Sequence, residues 1–100
     1  MDVMNAIAKV RFASARPQRV FLARNATYTV EMLCMEAGQK TQGAGGPSTY
    51  YVVMGAARIT TANGANELSA GQTAVTEPDE AHTLANAGEG RLVCLAVGPA

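Results

Sequence analysis

The sequence contains one histidine, His82, and this side chain is the strongest candidate for chemistry in the chain. An imidazole can hold a transition metal, transfer a proton or anchor a polar ligand. The nearby acids Glu77, Asp79 and Glu80 offer carboxylates to a rebuilt metal site. Specific transition-metal sites use at least three good protein ligands, and one histidine excludes a site made of several histidines of one chain. Three interpretations stay open: a structural histidine, the polar contact or general base of a small-molecule pocket, and a metal ligand.

The two cysteines, Cys34 and Cys94, lie in apolar runs with neither the CxxC spacing nor the density of a disulfide scaffold. We expect buried, reduced thiols, which suit a cytoplasmic protein. A thiolate is a soft ligand that can replace an imidazole at a transition metal. The spacing leaves open whether either cysteine faces the same interior as His82. The first residues lack the apolar run of a signal peptide, which also favours a cytoplasmic location.

Composition limits the class of protein. One hundred residues, 48% of them hydrophobic and 16% charged, make one domain with a modest core and exclude a disordered tail. Eight basic residues balance eight acidic ones, so the chain lacks the positive surplus that nucleic acids and anionic membranes select. We expect neither partner, and no stretch is apolar enough to cross a bilayer.

The charge is nevertheless uneven along the chain. Residues 1–24 carry five basic side chains and one acid, whereas residues 25–100 carry three basic and seven acidic side chains. We interpret residues 1–24 as an N-terminal strand or arm that packs on the rest of the chain or on a partner subunit. Residues 25–100 then form a single domain. An arm that binds an anionic ligand is the alternative.

Hydrophobic residues alternate with a period of two along most of the chain, which is typical of β-strands. Strands are predicted over residues 19–24, 27–36, 49–54, 57–61, 66–68, 72–77, 82–86 and 91–97, with a loop over residues 38–48. Residues 3–12 suit a short helix or a strand, and no helix is predicted after residue 30. Short strands separated by glycine, proline and asparagine turns predict an all-β fold, an antiparallel sandwich or jelly-roll barrel.

One hairpin has a specific turn signal. The pair Asn63-Gly64 suits the positive φ angles of a two-residue type I′ turn. Counting outward from this turn places Ile59 directly opposite Leu68, where the two form a pair on the core face.

Two of the predicted strands, residues 27–36 and 91–97, are apolar on both faces. A core between two sheets buries only one face of each strand, so the other face needs a second layer of cover. We expect a homodimer to supply it.

The order of residues in the second half of the chain resembles the second motif of the cupin family. Four residues follow that motif, including its His-x-x-x-Asn ending: Gly71, Pro78, His82 and Asn86. Gly55 is similar to the glycine that closes the family's first motif. The resemblance spans about residues 27–97 and implies a small, single-domain form of the family's fold, the double-stranded β-helix.

The metal site that the resemblance implies is incomplete in this sequence. In the family, three histidines and one glutamate surround a divalent transition metal. Counting back from the closing glycine places Gln42 and Ala44 at the first two histidines and Ser48 at the glutamate, so only His82 remains. Alanine cannot bind a metal, and serine and glutamine are poor ligands. We predict no tightly bound metal and no other cofactor; if a metal binds, His82 is its ligand.

Two functions of different classes follow. The first is a binding module, a barrel without the family's metal centre that holds a small, mostly apolar molecule in its interior. His82 and Gln42 are its expected polar contacts, and Tyr51, Met54 and Met32 are expected to line the pocket. The alternative is a metal-dependent cupin enzyme, an oxygenase, isomerase or lyase with an altered ligand set, in which His82 holds the metal or transfers a proton. A dimeric barrel with an accessory role and no ligand is a third alternative.

Overall fold

The computed structural model describes residues 1–43 and 47–100, which form two antiparallel β-sheets packed face to face. The strands in these residues are β1 (Gln18–Arg24), β2 (Tyr28–Met35), β3 (Lys40–Gly43), β4 (Thr49–Met54), β5 (Ala56–Thr61), β6 (Gly64–Ser69), β7 (Thr73–Val75), β8 (His82–Asn86) and β9 (Leu92–Pro99). One sheet has the order β1-β2-β9-β4-β7, and the other has the order β3-β8-β5-β6. The predicted all-β class is confirmed, and the helical content of the described residues is one 3-10 turn, Ile7–Lys9.

The main core lies between the two sheets because alternate residues of each strand point inward. Its fully buried side chains of largest volume are Leu33, Met35, Val52, Leu84, Leu92 and Cys94. Burying each of the larger aliphatic side chains contributes about 2 kcal/mol to folding. This packing fills the middle of the barrel and leaves polar residues to line its ends.

The N-terminal segment, residues 6–13, covers part of the outer face of the five-stranded sheet. The buried cluster on that face consists of Met32, Cys34 and Val93, with Ala6, Val10 and Phe12 packed against it. The Arg91 guanidinium lies 4.4 Å from the centre of the Phe12 ring, and Gln39 Nε2 donates a hydrogen bond of 2.7 Å to the carbonyl of Ala13. The segment is therefore held by apolar packing, a cation–π contact and a hydrogen bond. In the described residues, no helix is both long enough and apolar enough to span a membrane.

This cover bears on the expected homodimer. A segment of the same chain shields much of the apolar surface that we expected a second subunit to bury. Tyr51, Val75 and Val97 remain exposed on the uncovered part of this face. The dimer stays a prediction, and light scattering at micromolar concentration measures it.

The predicted loop over residues 38–48 is wrong in part, because it contains β3. This strand pairs with β8, and Gly43 lies opposite His82 in the register. β3 is an edge strand of the four-stranded sheet and its residues are polar, so hydrophobic alternation does not reveal it.

The predicted register of the β5–β6 hairpin is also wrong. The turn residues are Ala62 and Asn63, and Gly64 takes the positive φ angle of 124° as the first residue of β6. Ile59 therefore lies opposite Asn66, two residues from its predicted partner Leu68. A shift of two residues preserves the face of each side chain, so Ile59 and Leu68 are both buried in the core as expected.

Candidate functional site

A polar cleft of about 410 Å³ opens at one end of the barrel, and we call it the mouth cleft. Its described lining consists of Arg19, Thr29, Glu31, Gln42, Gly43, Ser48, Tyr50 and residues 96–100. Thr29 and Glu31 reach it because they continue the inward-facing row of β2, beyond Leu33 and Met35. Where this row passes from the core to the mouth, it changes from apolar to polar side chains.

His82 is buried on β8 and both of its ring nitrogens are hydrogen-bonded. Nδ1 lies 2.8 Å from the carbonyl oxygen of Glu80. A carbonyl can only accept a hydrogen bond, so Nδ1 is the donor of this bond. Nε2 lies 2.7 Å from Tyr50 Oη, and in the tautomer with its proton on Nδ1 it accepts a hydrogen bond from the phenol O–H. The two rings meet edge to face with their centres 5.4 Å apart.

Gly43 allows this pair to form. A Cβ atom built at Gly43 would lie 2.5 Å from His82 Nε2 and 3.1 Å from Tyr50 Oη. Any larger residue would therefore push the imidazole or the phenol aside. Gly43 lines the mouth cleft together with Tyr50, whereas His82 lines a neighbouring cleft of about 460 Å³. The hydrogen bond to Tyr50 links His82 to the mouth cleft.

Arg19 and Glu31 form an ion pair at the wall of the mouth cleft. Arg19 Nη1 lies 2.8 Å from Glu31 Oε1, and Nη2 donates to Thr41 Oγ1 at 3.3 Å. The Glu31 side chain is only 11% exposed. Its second oxygen, Oε2, is buried and has no hydrogen-bond partner among residues 1–43 and 47–100. Burying a carboxylate oxygen without a hydrogen-bond partner costs free energy, because the oxygen gives up its contacts with bulk water.

Burial also controls the protonation of three side chains. It raises the pKa of the Tyr50 phenol above its ordinary value, so the hydroxyl keeps its proton at neutral pH. Burial raises the pKa of Cys94 to about 12 and moves the pKa of Cys34 in the same direction. Both cysteines are therefore neutral thiols, and thiols are poor metal ligands. Cys94 faces the core between the sheets, whereas Cys34 lies on the outer face beneath the N-terminal segment.

A sequence model described as the cupin domain matches residues 32–98. The chain belongs to the cupin family. Several solved structures resemble this cupin along nearly its whole length. A Thermus thermophilus protein superposes with a TM-score of 0.93 at 14% identity, covering 99% of this chain and 97% of that one.

A Klebsiella pneumoniae protein with a double-stranded β-helix domain superposes with a TM-score of 0.89 at 22% identity, covering 99% of this chain and 90% of that one. A cupin superfamily protein from Desulfitobacterium hafniense gives a TM-score of 0.84 at 17% identity, with coverage of 99% and 92%. No curated protein matches the sequence. The expected double-stranded β-helix is confirmed, and at these identities the structural likeness extends to the fold alone.

The cupin motif positions do not converge as counting along the sequence suggested. Gln42 is exposed on β3, because its neighbours Thr41 and Gly43 take the inward-facing positions. Gln42 borders the mouth cleft at its rim. Ser48 lines the same cleft, and its backbone N–H donates to Thr76 Oγ1 at 2.9 Å. Ala44 lies outside the described residues.

Three other expected pocket residues lie elsewhere. Met32 is buried beneath the N-terminal segment, on the opposite face of β2 from the interior. Tyr51 and Met54 are exposed. Their assignment to the pocket lining is corrected: alternation along β4 turns Tyr50 inward and Tyr51 outward, and Met54 follows a register shift in the pairing of β4 with β9. Of the five residues expected to contact a ligand, His82 is the one buried in the interior. Its partner Tyr50 is not among those five.

The described donors do not fit the cupin metal cage. Both nitrogens of His82 are engaged, and Gly43 packs against the imidazole without space for an ion between them. No group of three or more metal-binding side chains occurs in the described part of the chain. The acids expected near His82 do not assemble around it; Glu80 contacts the ring through its backbone carbonyl. The absence of a bound metal stays a prediction.

Proposed function

We propose that this cupin binds a small polar molecule in the mouth cleft, with Glu31 and Tyr50 as its main polar contacts. The observation that carries the proposal is the polar lining of the mouth cleft, which includes the ion pair of Arg19 and Glu31 and the phenol of Tyr50. Charged and hydroxyl groups that line one concave cleft can orient a polar ligand through hydrogen bonds.

The size and lining of the cleft support the same proposal. A volume of about 410 Å³ lies in the range of small-molecule pockets. Ion-pair, hydroxyl and phenol groups line it, while the barrel interior behind it is occupied by Leu33, Met35 and other core side chains. A polar ligand at the mouth therefore replaces the mostly apolar ligand in the interior that we expected from the sequence.

The alternative of a metal-dependent cupin enzyme has less support. It requires a ligand set around His82, and the described side chains do not supply one. Elemental analysis of protein purified without a polyhistidine tag tests this point. We expect transition metals far below one equivalent per chain, and a stoichiometric metal would contradict the expectation.

Binding is tested by titrating ¹⁵N-labelled protein with small neutral molecules and following the amide resonances. The panel consists of glycerol, cis-1,2-cyclopentanediol and imidazolidin-2-one, each paired with its fully O- or N-methylated analogue. We expect saturable shifts at Gly43, Ser48 and Gly98, which line the mouth cleft. The amide of Gly90 is the reporter outside it. If no molecule of the panel produces saturable shifts at the cleft amides, the proposal is wrong.

Matched variants locate the site. Glu31→Gln changes the buried carboxylate, whereas Glu67→Gln changes a carboxylate of an exposed ion pair. We expect the first variant to weaken binding of the best probe and the second to leave it unchanged. Equal effects of the two variants would contradict a site at Glu31.

A further inference from the structure

We infer that an uncharged strip on the outer face of the five-stranded sheet is the interface of a symmetric homodimer. The uncharged strip consists of Val30, Thr49, Tyr51, Val75 and Val97. The sequence predicts a homodimer that covers the second face of residues 27–36 and 91–97, and the strip moves this interface toward β4 and β7. The inference is independent of ligand binding in the mouth cleft.

The side chains of the strip are direct neighbours in the sheet. Thr49 lies opposite both Val75 and Val97. Val97 lies in turn opposite Val30, so this row crosses β7, β4, β9 and β2. Adjacent strands are about 4.8 Å apart, which makes the row about 14 Å long. Tyr51 lies on the same face, two residues along β4 from Thr49. Val75 is 67% exposed and Tyr51 is 41% exposed, so a single chain leaves this surface in water.

The two sheets differ in the charge of their outer faces. In the four-stranded sheet, β3, β5 and β6 each carry an exposed charged residue: Lys40, Arg58 and Glu67. The strands β2, β4, β7 and β9 contain one charged residue between them, Glu31, and it faces the mouth cleft. An antiparallel sheet that faces water on one side normally has polar residues on that side. The outer face of the five-stranded sheet therefore needs a second layer, and residues 6–13 supply only part of it.

Exposed charges of opposite sign flank the strip. The N-terminal segment joins the apolar cluster that contains Leu95, beside the strip, and it carries the exposed Lys9 and Arg11. The turn after β7 carries the exposed Glu77 and Asp79. None of these four side chains belongs to an ion pair within residues 1–43 and 47–100. A two-fold axis in the plane of the interface can lay the basic flank of each copy over the acidic flank of the other. A second copy of this chain is therefore the partner whose apolar surface and charges both match.

Sedimentation velocity of the full chain over a concentration series from about 1 µM to about 1 mM tests the inference. The strip is smaller than the roughly 800 Å² per partner of a standard interface, so we expect a reversible dimer with a dissociation constant of about 10–100 µM. Val75→Glu brings two carboxylates into the interface and should raise this constant about 100-fold. Thr60→Glu places the same charge on the outer face of the other sheet and should leave the constant unchanged.

Three results would overturn the inference: a monomer throughout the concentration series, a dimer that withstands Val75→Glu, or equal weakening by Val75→Glu and Thr60→Glu. A monomer would leave the strip to a partner of another sequence.

A dilution series of the unmodified, ¹⁵N-labelled protein decides the inference even if Val75→Glu does not fold. We expect the amide resonances of Thr49, Val75 and Val97 to move with concentration. The amides of Thr60 and Thr83, paired on the four-stranded sheet, should stay constant. Constant strip amides in a protein that dimerises would place the interface elsewhere and overturn the inference. Moving strip amides in a protein with the mass of a monomer would overturn it as well.

Discussion

Among residues 1–43 and 47–100, two short arginine–glutamate pairs join neighbouring strands, and one of these two borders the mouth cleft. Arg19 and Glu31 link β1 to β2 at 2.8 Å. Arg58 and Glu67 link β5 to β6 at 2.6 Å. The glutamate side chain is 11% exposed in the first pair and 65% exposed in the second. Interatomic distance therefore says little about the role of either pair, since solvation sets how strongly each charge depends on its partner.

Removing the arginine of each pair gives the largest expected difference in stability between the two regions. Arg19→Met keeps most of the side-chain volume but leaves the Glu31 carboxylate buried without its counter-charge. We expect the free energy of unfolding to fall by about 2 kcal/mol, measured by urea denaturation. Arg58→Met is the control, with an expected loss below about 0.5 kcal/mol because water solvates Glu67. Similar losses in the two variants would show that burial does not distinguish the pairs.

The same comparison can be made with two glycines, Gly43 in the wall of the mouth cleft and Gly90 outside it. Gly43→Ala places a methyl group 2.5 Å from His82 Nε2, and the imidazole is held by two hydrogen bonds. We expect a loss of about 1.5 kcal/mol in thermal or urea unfolding. Gly90→Ala introduces a methyl group with no atom within 4 Å, so its stability should change little. If Gly43→Ala leaves the free energy of unfolding unchanged, the side chains at the inner wall of the cleft move aside at little cost.

Two neighbouring tyrosines on β4 allow the same comparison of a buried and an exposed group, here with uncharged hydroxyls. Tyr50→Phe leaves His82 Nε2 buried without its donor, and we expect a loss of about 1 kcal/mol. Tyr51→Phe removes an exposed hydroxyl, with an expected change within about 0.5 kcal/mol. Equal stabilities of the two variants in urea would mean that the hydrogen bond to His82 adds nothing to folding.

The smallest expected effect concerns the coupling within the exposed pair. A double-mutant cycle on Arg58 and Glu67 should give about 0.3 kcal/mol, and added NaCl at about 1 M should abolish most of it. The corresponding cycle on Arg19 and Glu31 should retain most of its coupling in the same salt. Loss of both couplings in salt would place Glu31 in contact with solvent ions, against its burial.

Local patterns were sufficient for much of the fold. The predicted strands over residues 49–54 and 82–86 coincide with β4 and β8, because alternation and flanking turn residues are properties of neighbouring residues. β3 was missed because its polar sequence becomes a strand only by pairing with β8, about forty residues later. The hairpin register failed for a local reason, since Gly64 alone takes the positive φ angle there.

For the candidate site, the sequence by itself determined that His82 would be its only imidazole and that the family's metal ligands are missing. The tertiary structure decided everything that surrounds this residue. The side chains of a strand alternate between two faces, so an error of one position puts Gln42 at the surface where Gly43 is inside. The tyrosine partner of His82 lies on a strand far away in the chain. Arg19 meets Glu31 diagonally across the β1–β2 register, in which Arg19 lies opposite Leu33 and Glu31 lies opposite Phe21. Only packing of the two sheets fixes which of these groups meet, because hydrogen bonds and burial depend on distance in space.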